Sequence, residues 1–201
     1  MINAIVSQNP RYYTIAFLGI SLFSYPALAH PGHGLLGFTA GFAHPLTGLD
    51  HLLTALAIGI LAVNQNNKIN FNILAGFIVA MICGILLGQS GITLPFYEQG
   101  ITISLVLLGI CIMLGTRLGS WGGLALVACF GMLHGNAHGI EVSNGSLSFS
   151  ATLGLVSATA ALLCVGTGLA LIIQKSLTGD RAILATRVFG AGIVGAAFTI
   201  K

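Results

Sequence analysis

All six histidines of this chain fall in two short stretches. The first runs from His30-Pro-Gly-His33 into His44-Pro-Leu-Thr-Gly-Leu-Asp50-His51, and the second is His134-Gly-Asn-Ala-His138-Gly-Ile-Glu141. On a helix, positions i, i+4 and i+7 share a face, so His134, His138 and Glu141 can project two imidazoles and a carboxylate in one direction. His44 and His51 are likewise seven apart, with Gly48 between them leaving room for an ion or a neighbouring helix. Asp50 points about 100° away from His51 on an ideal helix, placed to ligate directly or to orient an imidazole. Imidazole nitrogens and carboxylate oxygens in this pattern are the donors that divalent transition metals take. A lone histidine at a helix end is more often an interface residue, which is the competing reading of His30 or His33 taken singly. As a mature N-terminus, His30 would add a free amine to its imidazole and, with His33, capture metal at the entrance.

The elements that must position these groups are apolar. Of 201 residues, 56% are hydrophobic and 5% are charged, where a soluble domain carries roughly a quarter charged residues. The chain reads as an integral membrane protein, all-α because a helix satisfies its own backbone in lipid. Its 28 glycines fit close helix packing in a bilayer. Gly84/Gly88, Gly115/Gly119/Gly123 and Gly131/Gly135/Gly139 have the four-residue spacing of packing seams. Cys83, Cys111, Cys129 and Cys164 sit inside separate apolar runs and read as small packing residues. A net charge of +3 from scattered groups makes no case for nucleic acid, and no phosphate-cradling Gly-x-x-x-x-Gly-Lys-Ser/Thr loop for ATP is encoded.

Residues 1–29 read as a signal peptide: Arg11, an apolar stretch from Thr14 to Phe23, and Ala27-Leu28-Ala29 as the cleavage site. Residues 30–201 then form one domain, a polytopic bundle of six transmembrane helices. The apolar runs are Leu35 to Val63, Phe71 to Ser90, Gly100 to Thr116, Trp121 to His134, Phe149 to Gln174 and Ile183 to Ile200. Lys68, Arg117, Lys175 and Arg181 occupy alternate loops, whereas Gly91 to Gln99 and Gly135 to Ser148 hold no Lys or Arg. The positive-inside rule therefore makes the mature N-terminus extracytoplasmic and places both histidine groups on the outer face. Pro45 fits the first turn of a helix, with Leu35 to Ala43 as a separate piece above it. Gly135 and Gly139 suggest a helix that unravels near His138.

His44-Pro-Leu-Thr-Gly-Leu-Asp50-His51 resembles the HPxxGxDH signature of the HupE/UreJ family, and His134-Gly-Asn-Ala-His138-Gly-Ile-Glu141 resembles its second motif, HGxAHGxE. The resemblance covers the whole chain, departing where Leu133 stands in place of an aromatic. It implies a bacterial inner-membrane nickel permease supplying hydrogenase or urease, some members carrying cobalt. Carried over by position, the transport residues are His44, Asp50, His51, His134, His138 and Glu141.

The leading expectation is a secondary permease, not an enzyme. It would have no prosthetic group, and its partners would be the bilayer and a divalent cation: Ni²⁺ first, with Co²⁺, Zn²⁺ and Cu²⁺ also suited to N/O donors. A homo-oligomer is compatible with the composition. The rivals are an intramembrane Zn-dependent hydrolase, which lacks an HExxH motif here, and a metal sensor or chaperone that binds without transport.

Overall fold

The computed structural model describes residues 37–64, 68–116, 120–143, 148–177 and 179–200. The expected signal peptide and both His30 and His33 lie outside the described residues. Among the described residues the chain is all-helical: α1 Phe38–Thr47, α2 Leu49–Asn64, α3 Phe71–Gln89, α4 Tyr97–Leu114, α5 Ser120–Ser143, α6 Phe149–Ser176 and α7 Asp180–Ala197. Three of these, α3, α4 and α6, are long and apolar enough to cross a membrane, and a fourth crossing is added if the bent pair α1–α2 is one span. The other two runs read from sequence, in α5 and α7, carry the polar load: His134, Asn136, His138 and Glu141 in one, Asp180, Arg181 and Arg187 in the other.

Three local expectations are corrected. The first apolar run does break, but at Gly48, with a bend of 79°, and not ahead of Pro45. Pro45 therefore sits inside α1 near its C-terminus, not in the first turn of the next helix. Proline cannot donate to the carbonyl four residues back, and the helix ends two residues later, where the Thr47 hydroxyl donates to the His44 carbonyl at 3.1 Å. Second, α5 does not unravel at Gly135 and Gly139 but continues to Ser143. Those glycines serve close packing: a Cβ on Gly135 would lie 1.9 Å from the Met81 carbonyl oxygen of α3. Third, Cys83, Cys129 and Cys164 are exposed on the outside of the bundle and Cys111 is only half-buried, so they are not interior packing residues.

Glycine contacts organise the bundle, because close backbone approach adds dispersion where apolar burial gives little in lipid. α3 lies closest along α5, α1 and α2 both lie along α6, and α4 pairs with α7. Gly84 of α3 abuts Met132 of α5, and Gly166 of α6 abuts Leu56 of α2. Gly115 belongs to no seam; it caps α4 in the left-handed region at φ 61°. Ile58, Leu61, Phe77, Leu105, Leu108 and Leu155 fill the interior.

Candidate metal site

The bend at Gly48 makes the site. Seven residues of straight helix separate two side chains by about 10.5 Å along the axis. Across the 79° break, however, the His44 and His51 rings come to 5.5 Å between centroids. Gly48 fits closely there: a Cβ would stand 3.0 Å from the His51 ring and 3.1 Å from an Asp50 carboxylate oxygen, so both side chains would have to give by a few tenths of an ångström. α5 supplies the remaining imidazoles: the His138 ring lies 5.0 Å from His44 and 4.6 Å from His51, and the His134 ring 5.4 Å from His51. One nitrogen from each of His44, His51 and His138 can be chosen so that all three lie within 4.8 Å of one another. A metal bonded to nitrogen at about 2.1 Å needs ligand separations of about 3.0 to 3.4 Å, so small rotations of the rings close the cluster on an ion.

Carboxylates orient this cluster and balance its charge. His138 Nδ1 donates to Glu141 Oε2 at 3.2 Å, which leaves Nε2 with its lone pair for a metal. Asp50 lies in the first turn of α2 and accepts the His51 backbone N–H at 3.0 Å. Its other oxygen is 3.8 Å from His51 Nε2, too far for a hydrogen bond but close enough to balance a bound cation. Two carboxylates would neutralise a divalent ion, and the C-terminal end of α5 adds partial negative charge. Exposure falls inward from Glu141 at 43% and Asp50 at 28% through His51 at 14% to His138 at 5%, so the acids sit at the mouth and the imidazoles behind them.

His134 lies deepest, 2% exposed. Its Nδ1 donates to the Phe130 carbonyl at 2.9 Å, which fixes the tautomer that leaves Nε2 as acceptor. That Nε2 is buried and has no hydrogen-bond partner. An orphaned acceptor costs about 1 to 3 kcal/mol, and a cation would offset it.

The pattern described as "HupE / UreJ protein" matches residues 18–200. The chain belongs to the HupE/UreJ family. The curated "Protein HupE" of Rhizobium leguminosarum bv. viciae is 31% identical over 153 residues, 75% of this chain and 80% of that one. No solved structure matches. In this HupE/UreJ protein the structure gathers His44, Asp50, His51, His134, His138 and Glu141 at one end of the bundle.

Sequence reasoning passed over Asn136. Fully buried, it donates from Nδ2 to the Ile92 carbonyl and accepts the Leu94 N–H at Oδ1, both at 2.8 Å. It ties the loop between α3 and α4 to the helix that carries His134 and His138. The available signal was an amide inside an apolar helix, which must find partners. Leu133 packs over Gly100 of α4.

Proposed function

We propose that this HupE/UreJ protein is a membrane permease for divalent transition metals, Ni²⁺ foremost and Co²⁺ next, serving hydrogenase or urease maturation. The observation that carries the reading is the convergence of His44, His51 and His138 to within 4.8 Å from two segments far apart in sequence. Asp50 and Glu141 hold the charge at the mouth, and His134 lies behind. α5, at 24 residues, is about 36 Å long against a hydrocarbon core of about 30 Å. We therefore read α5 and α7 as two further spans, making six after a cleaved signal peptide. From the charge pattern of the loops we infer that the site faces the extracytoplasmic side.

No ATP is needed for such a permease. A divalent ion moving inward gains about 4.6 kcal/mol per 100 mV, enough for more than about a thousandfold accumulation. The test is uptake of Ni²⁺, Co²⁺, Zn²⁺ and Cu²⁺ into proteoliposomes under an inside-negative potential. Potential-driven nickel flux lost in both His51→Ala and His138→Ala supports the permease; binding without flux of any ion overturns it.

Three imidazoles also match a zinc site that keeps a position open for water, so the hydrolase reading has one observation in its favour. Peptide or lipid turnover by purified protein, abolished by His138→Ala, would replace the permease.

A further inference from the structure

Thr54 is 1% exposed, and its hydroxyl has no hydrogen-bond partner. Helical threonines ordinarily donate to the carbonyl four residues back. Thr159 and Thr167 do so here, to Leu155 and Leu163 at 2.9 Å each. Thr54 does not, although it lies in the interior of a regular helix. It follows His51 by three positions, hence on the same face of α2 and about 4.5 Å further from the mouth. His134 precedes His138 by one turn and lies about 6 Å further from the mouth along α5. Its orphaned Nε2 belongs to a ring 5.4 Å from that of His51. Two buried, unpartnered polar atoms, one on α2 and one on α5, thus each lie about one turn behind the outer trio.

One further helical turn along, at Ile58 of α2 and Phe130 of α5, the side chains are apolar and buried. The Phe77 ring sits 6.1 Å from His134, and Phe77, Phe130 and Ile58 are 2%, 5% and 0% exposed.

We propose that Thr54 and His134 form with His51 a second, inner station for the divalent cation. The ion passes to it from the His44, His51 and His138 trio, with His51 common to both. This deepens the permease reading and rests on it. The shared histidine lets one ligand be retained while the others are exchanged, so the ion is never left bare in the low-dielectric interior. A neutral hydroxyl is a weaker donor than imidazole or carboxylate, and a station that must release its ion inward needs weaker binding.

The experiment measures equilibrium Ni²⁺ binding to the purified full-length protein alongside potential-driven Ni²⁺ flux in proteoliposomes. Thr54→Val keeps shape and removes the hydroxyl; it should bind Ni²⁺ within about twofold of wild type yet carry it about fivefold more slowly, with Thr54→Ser recovering most of the flux. His134→Asn should retain affinity within about threefold while losing flux, whereas His138→Ala should lose both, its affinity falling by more than about tenfold. Unchanged flux in Thr54→Val, or an affinity loss in His134→Asn as large as in His138→Ala, overturns the two-station arrangement. Wild-type protein that binds nickel but passes none overturns the permease and this inference together, and is told apart by the wild-type arm alone.

Discussion

Replacing Gly135 by alanine tests whether close approach of α3 and α5 aims the histidines. The added Cβ would stand 1.9 Å from the Met81 carbonyl oxygen, against 3.4 Å for ordinary contact. The helices must therefore part by about 1.5 Å at a point between His134 and His138, where metal–ligand distances are held to about 0.2 Å. Backbone meets backbone, so no side-chain rotation relieves the clash. Overpacking of this kind costs about 1 to 3 kcal/mol, outweighing the gain of up to about 1 kcal/mol in helix propensity. The control is Gly122→Ala in the same helix, where nothing lies within 4 Å of the new methyl. In detergent, Gly135→Ala should melt several degrees below wild type and bind Ni²⁺ at least about tenfold more weakly, with Gly122→Ala unchanged or slightly more stable. Equal behaviour of the two variants refutes the argument that glycine packing sets the geometry of the site.

Glu141→Gln removes the charge that orients His138 Nδ1 and should weaken nickel affinity about 10- to 100-fold, read by isothermal calorimetry; an unchanged affinity removes Glu141 from the site. Asn136→Ala strands the Leu94 N–H and the Ile92 carbonyl and should destabilise the protein by about 2 to 4 kcal/mol, with faster amide exchange at residues 92–94 if the clamp is what orders that loop. Because an imidazolium has no lone pair for a metal, affinity should fall as the pH drops from about 7.5 to about 4. Nickel binding that is indifferent to this change would exclude histidine ligation.

The polar residues were the legible part. In a chain with 5% charged residues, any buried imidazole or carboxylate needs a partner, so spacing and charge bias were enough to gather the two clusters at one end. That the first run breaks was legible at Pro45, but the place and the angle of the break were not. Pro45 announces trouble in a helix, but where the chain turns depends on the Thr47 hydroxyl, the extended backbone of Gly48 and the α6 surface beneath α1, none of which has a periodic signature. The α5 glycines misled for a related reason: Gly135 and Gly139 look like weak points in isolation, and only the partner backbone of α3 turns them into contacts. Asn136 and Thr54 carry no motif, and their roles emerge only when their hydrogen-bond partners are sought.

The convergence of His44, His51 and His138 on one ion is tested most directly by nickel K-edge X-ray absorption on the purified protein. Scattering from at least the three imidazoles of the cluster is expected, with one fewer in His44→Ala and one fewer in His138→Ala. A wild-type spectrum without imidazole scattering, or one that neither substitution alters, would contradict it.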